Sequence, residues 1–242
     1  MSGWIHRCRN GSVPCVFPGC VRLLSVPLKD FYESYSFFCE ERGRHELDFF
    51  LKQLRRKEVF YDIGGFRGVF AFSVISKLQE AASVHVFEPV ANNAEAIENI
   101  CRLNHFGNCK INRLAVAESS ALTGKVSSDG MHFQSGEAAA AADGTKFLAV
   151  SLDEYIAGGS PAPTIIKIDV EGFELSVLRG ARDCLREHRP HLWLEVHPEF
   201  LQAQGQSPEV VLNLLREIGY TISCFDDFNA LDAKSPYHIW CE

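Results

Sequence analysis

The sequence has 242 residues, is 46% hydrophobic and carries a formal net charge of −7. That length and apolar content suffice for one large folded domain, and a charged fraction of 23% argues against wholesale disorder. The acidic balance speaks against a nucleic-acid binder, and no apolar run is long enough to span a bilayer.

Residues 1–43 stand apart. They carry Cys8, Cys15, Cys20 and Cys39, with Pro14, Pro18 and Pro27. The spacing C-x6-C-x4-C lacks the paired CxxC of a zinc site even with His6 nearby, so the segment reads as an irregular cap with free thiols. Nine cysteines are an odd number, which fits a reduced, cytoplasmic setting better than a disulfide framework. No basic n-region followed by an apolar h-region is seen either. Cys101, Cys184, Cys224 and Cys241 fall in apolar patterns and read as small core residues.

Residues 44–242 read as one domain. Leu47, Phe50, Leu51 and Leu54 recur at helical spacing, and the basic cluster Lys52, Arg55, Arg56 and Lys57 suits that helix's end. Val59 to Ile63 is a short strand, followed by glycines and a helix with Phe70, Val74, Ile75 and Leu78. Val84 to Phe87 is the next strand. The helix after it has Ile97, Ile100 and Leu103 on its inner face and is expected to close at Gly107. Lys110 to Val116 reads as a third strand. Residues 117–146 form a looser excursion with a short hairpin or helix, and Phe147 to Val150 reads as an edge strand.

Ser151 and Glu154 have the spacing of a capping box opening the helix from Leu152. Ile165 to Val170 is the apolar run of a central parallel strand. Phe173, Val177, Leu178, Ala181 and Leu185 give the next helix its inner face. His191 to Val196 is another strand. Ser207 and Pro208 start a helix that Gly219 ends. Tyr220 to Phe225 and Tyr237 to Cys241 follow as an antiparallel pair. The alternation predicts an α/β fold, a doubly wound and mostly parallel sheet with an antiparallel C-terminal pair. Ligands of such sheets bind outside the carboxyl ends of the strands, at the switch in strand order. Asp169 and Glu171 end a central strand there.

The turn Asp62-Ile63-Gly64-Gly65-Phe66-Arg67-Gly68 differs from the dinucleotide fingerprint G-x-G-x-x-G. An acid two residues ahead of Gly64 disfavours a pyrophosphate and favours a ligand with an ammonium. Glu88, 26 residues after Asp62, is placed to accept hydrogen bonds from ribose hydroxyls. A ligand with a ribose, a positive amino-acid end and no phosphate is S-adenosylmethionine. Asp62, Gly64, Gly65, Gly68, Glu88 and Asp169 are the candidate cofactor residues.

From about Val59 onward the chain resembles the FkbM family of S-adenosylmethionine-dependent methyltransferases. The resemblance rests on DIGGFRG (62–68), FEPVANN (87–93), LAVAE (114–118), VSLDEY (150–155), IKIDVEGFELSVLRGA (166–181) and LWLEVHP (192–198). It implies a Rossmann-like class I methyltransferase fold of seven strands and O-methylation of a hydroxyl on a sugar, polyketide or similar small molecule. Where that family has Ala-Asn in the glycine turn, this chain has Gly65-Phe66.

Glu195 and His197 are two apart on a strand and so face the same side. His197 is the candidate general base, with Glu195 orienting it or holding the acceptor and Asp169 close to the reacting centre. Glu171 lines the mouth, and Glu174 reads as an ordinary acid at a helix N-terminus. Asp169, Glu195 and His197 could instead ligate magnesium or manganese, but the metal-free reading is preferred. The partner is then a small-molecule hydroxyl acceptor, without nucleic acid or membrane. The rival readings are a non-catalytic binding or scaffold module of the same fold, motivated by Phe66 and the cysteine-bearing start, and a nicotinamide-dependent oxidoreductase.

Overall fold

The computed structural model of the chain describes residues 11–16, 23–36, 38, 40–126, 133–135, 145–225 and 235–242. Cys8, Cys20, Cys39, the alanine run 138–142 and most of the loop before Tyr237 lie outside them. Strands β1 (Ser12–Cys15) and β2 (Leu24–Pro27) pair antiparallel. A helical turn α1 (Leu28–Asp30) runs on into a wider turn over Phe31–Tyr35, and helix α2 (Glu41–Gln53) leads to the main sheet.

That sheet begins with β3 (Glu58–Ile63), helix α3 (Val69–Leu78), β4 (Ala82–Phe87), helix α4 (Ala91–Asn104) and β5 (Cys109–Asn112). After an excursion it resumes with helix α5 (Leu152–Ala157), β10 (Ile165–Ile168), helices α6 (Glu174–Arg179) and α7 (Arg182–Glu187) and β11 (His191–Val196). Helices α8 (Pro198–Ala203) and α9 (Pro208–Ile218) precede β12 (Ile222–Cys224) and β13 (Tyr237–Cys241). The order is β12-β13-β11-β10-β3-β4-β5, and β13 runs antiparallel to both its neighbours. The seven strands and the reversed C-terminal pair agree with expectation.

Alternation along β3 divides the interior, because successive side chains point to opposite faces. Phe60 joins Phe50, Phe72, Val84, Ile97 and Trp193 on one face. Tyr61 and Ile63 join Ile166, Leu178, Leu194 and Leu215 on the other. Cys15, Leu24, Val26 and Tyr35 belong to the first cluster, so the segment ahead of α2 shares the sheet's core. The Asn104 side chain secures it, accepting from the Ser25 amide (2.7 Å) and donating to the Ser25 carbonyl (2.9 Å).

Several boundaries differ from expectation. His105, at φ 55°, takes the left-handed cap of α4 in place of Gly107, and Leu103 faces solvent. The stretch read as one third strand divides into β5 and a separate β6 (Ala115–Val116). β6 pairs with β9 (Thr145–Val150), which in turn pairs with β7 (Thr123–Val126), beside β8 (Phe133–Ser135). The strand at Phe147 therefore belongs to a small second sheet, and the excursion holds a hairpin. The helix after Phe173 breaks at Gly180, where a Cβ would stand 2.0 Å from the Ala117 carbonyl oxygen; the small sheet presses on the chain there. Cys224 is exposed, so it is not a core residue. The Ser151–Glu154 capping box forms in both directions, whereas Ser207 makes no side-chain cap to α9. No described helix is long and apolar enough to cross a membrane.

Candidate active site

The sheet order turns between β3 and β10, and all the predicted site residues gather at the carboxyl ends of β3, β4, β10 and β11. They form three adjoining parts: a glycine turn with an apolar cleft, a buried lysine, and a histidine ringed by acids.

The turn follows β3. The amides of Gly64 and Gly65 both donate to the Phe87 carbonyl, at 3.0 and 3.2 Å, which folds the turn across the end of β4. Gly64 is left-handed (φ 76°), and a Cβ there would stand 1.8 Å from the Asp169 carbonyl oxygen. A Cβ at Gly65 would meet Val86 at 2.2 Å. Both positions therefore demand glycine for close backbone approach. Phe66 is also left-handed (φ 46°), an uncommon state for an aromatic residue, and its ring is partly exposed. Gly68, at φ 76°, caps α3. Tyr35 donates to the Arg67 carbonyl at 3.0 Å, and Arg67 pairs with Asp30 (3.1 Å) and Glu33 (2.7 Å). The segment ahead of α2 is thereby strapped to the turn. Beside Gly64 opens a largely apolar cleft, lined among others by Phe87, Pro89, Val116, Phe147 and Phe173.

Glu88 lies next to that cleft but points inward. Its carboxylate accepts from the amides of Phe66 (2.9 Å) and Val90 (2.8 Å) and from the Asn93 side chain (3.4 Å). Burial pushes its carboxyl up to about 7 against those hydrogen bonds. Three of its roughly four acceptor positions are thus taken by the protein.

Asp62 is buried and accepts from the Ala71 amide at 3.2 Å, which ties β3 to the first turn of α3. Its other oxygen, Oδ1, makes no hydrogen bond and lies 3.7 Å from Lys167 Nζ. Lys167 donates to the Gly64 carbonyl (2.9 Å) and to Asp169 Oδ2 (3.1 Å). The positive partner of Asp62 is therefore a side chain of the protein itself. Burial raises the carboxyl pKa of Asp62 despite that neighbour. Burial also opposes ionisation of Asp169, but Lys167 and His197 hold it below the usual carboxylate range.

His197 is 4% exposed and stacks on Phe200 at 5.8 Å between ring centres. Its Nδ1 lies 2.7 Å from Glu174 Oε1, which also accepts from the Gly172 amide at 3.0 Å. That oxygen is an acceptor, so Nδ1 carries the proton. Nε2 faces Glu171 Oε2 (3.4 Å), Glu195 Oε1 (3.7 Å) and Asp169 Oδ1 (3.9 Å). Burial disfavours a charged imidazole, but the Glu174 bond and the surrounding carboxylates outweigh it and push the ring up to about 9. A ring held toward its charged form donates more readily than it accepts, which weighs against His197 as the base. Burial raises Glu171 to about 7, against the pull of His197.

The orienting partner of His197 is Glu174, fully buried, and not Glu195. Glu195 bridges outward instead: its Oε2 is 3.5 Å from His238 Nε2, which stands 3.3 Å from Glu46. The position of Glu174 at a helix start gave an ordinary reason for an acid, which hid its role. Glu171 itself lies outside that helix, in a left-handed turn at φ 51°. Glu46 and His238 have no sequence signal linking them to the site.

The family model described as the methyltransferase FkbM domain matches residues 62–222. Among solved structures, the chain is similar to methyltransferase FkbM from Methylobacillus flagellatus KT, with 22% identity and a TM-score of 0.55, over 89% of this chain and 54% of that one. The chain thus spans about half the length of that relative. It is also similar to SMU.1697c from Streptococcus mutans, solved in complex with SAH (12% identity, TM-score 0.52, covering 84% and 98% of the two chains). An rRNA methylase from Streptococcus thermophilus matches at 12% identity and a TM-score of 0.50, covering 84% and 96%. At such identities these are likenesses of fold. No curated protein matches the sequence.

Proposed function

Because the chain belongs to the FkbM methyltransferase family, we propose that it transfers a methyl group from S-adenosylmethionine to a hydroxyl of a small-molecule acceptor. The observation that carries this reading is the packing of Gly64 against the Asp169 carbonyl. It sets the apolar cleft, the glycine turn and the acid-ringed histidine side by side along one edge. When bound, the cofactor supplies a methyl group already activated on a sulfonium.

The residues present fit that cofactor. The cleft beside Phe87, Pro89 and Phe173 suits an adenine ring, and the glycines leave the backbone open to close approach. Glu88 braces the turn beside that cleft through the amides of Phe66 and Val90. The buried Oδ1 of Asp62 makes no hydrogen bond and is an acceptor held near Lys167.

Methyl transfer is an in-line displacement, in which the protein's main contribution is to position the acceptor oxygen. Asp169, Glu195 and His197 are assigned to hold that oxygen. Glu171, partly open to solvent at the mouth, is assigned to take the hydroxyl proton. The carboxylates of this mouth repel phosphate, which favours a neutral or cationic small molecule over a nucleic acid.

Calorimetric titration with S-adenosylhomocysteine tests the reading. Saturable binding that weakens in Glu88→Ala is expected. Absence of heat at high micromolar ligand, with the fold intact, refutes it.

A further inference from the structure

We propose that Asp169, Glu195 and His197 form a binding site for a divalent metal ion of the magnesium or manganese class. Each offers one ligand atom, and those atoms lie within 4.8 Å of one another. Ligands at about 2.1 Å from a common ion stand up to about 4.2 Å apart, so a small inward movement closes the site.

Two further features point to a ligand rather than to crowded acids. First, His197 is buried and its Nε2 makes no hydrogen bond, although Glu171 (3.4 Å), Glu195 (3.7 Å) and Asp169 (3.9 Å) all approach it. Second, Glu174 has the wholly buried position of an outer partner. Its bond to Nδ1 orients the ring and leaves Nε2 turned toward the carboxylates, where an ion displaces the Nε2 proton on binding, the arrangement that orients metal-binding histidines. Glu195 is held in a matching way, because the pairing of its Oε2 with His238 turns Oε1 toward His197.

Two carboxylates and one imidazole make an oxygen-rich set, which suits magnesium or manganese better than a thiolate-preferring metal. With three protein ligands, the remaining positions are open to water and to an acceptor oxygen. The ion would lower the pKa of a bound hydroxyl and hold it at a fixed place, with Glu171 beside it to receive the proton. That last role rests on the methyltransfer reading above, whereas the metal site itself does not.

The test uses the chelator-treated full chain with manganese(II) alone, without methyl donor or acceptor, followed by electron paramagnetic resonance. One saturable ion per chain is expected below about 1 mM. Asp169→Asn and Glu195→Gln should each abolish it, and Glu174→Gln should weaken it by about 10–100-fold. In parallel, manganese should broaden the His197 ring signals of the unmodified protein, a readout independent of how the variants fold. Absence of saturable binding, binding unchanged in both variants, or unbroadened His197 signals overturns the proposal. Failure here with intact S-adenosylhomocysteine binding removes the metal but leaves the methyltransferase reading standing.

Discussion

Glu174 Oε1 and His197 Nδ1 lie 2.7 Å apart in a pocket closed to solvent, and the bond joins α6 to the end of β11. Replacing Glu174 by Gln keeps the shape and an acceptor but removes the charge. His197 should then titrate well below its present value of about 9, toward the ordinary histidine range. Nuclear magnetic resonance of the imidazole protons measures this. Glu174→Ala leaves a buried polar ring unpaired and should cost roughly 3 kcal/mol in chemical denaturation.

This cluster, together with Glu88 at the glycine turn, makes stability depend on pH. Glu88 and Glu171 are both raised from 4.5 to about 7, so the folded chain holds protons that the unfolded chain has released, and stability falls as pH rises across that interval. His197 is raised from 6.5 to about 9, so its contribution is full below 6.5 and is lost as pH rises through 9. Denaturation midpoints in metal-free buffer should therefore decline from mildly acidic to alkaline pH. His197→Asn should flatten the upper limb, which is worth roughly 3 kcal/mol.

Gly64→Ala places a methyl group against the Asp169 carbonyl at a left-handed position. A loss of about 3 kcal/mol or more is expected, together with loss of S-adenosylhomocysteine binding. Gly107→Ala, where a Cβ meets nothing within 4 Å, is the control and should shift stability by less than about 0.5 kcal/mol. Thermal melts and calorimetry on the two variants decide the point.

Phe66 holds a left-handed backbone at φ 46° with a partly exposed ring. Asn tolerates that conformation better than an aromatic residue. Phe66→Asn should therefore stabilise the chain by about 0.5–1 kcal/mol and leave the Glu88 bond to the backbone amide in place. A lower melting temperature contradicts this account.

Fold and site were legible to different depths. Strands such as Ile165–Ile168 announced themselves because burial on both faces leaves a continuous apolar run. The capping box at Ser151 is a local pattern that needs no tertiary context. The break at Gly180 was hidden, since it depends on the Ala117 carbonyl, more than sixty residues earlier in the chain. The gathering of Asp169, Glu195 and His197 followed from their places at strand ends. The charge state of His197 did not, because it depends on Glu174, a side chain that only folding brings near.

β13 lies between β11 and β12 and pairs antiparallel with both. Ile222–Cys224 consequently waits for a segment that arrives later in the sequence before it can join the sheet. Until then the hydrogen-bonding edge of β11, the strand that presents Glu195 and His197, stays uncovered. Loss of β13 would therefore uncover the edge of the strand that carries the acid-ringed histidine and open it to edge-to-edge association.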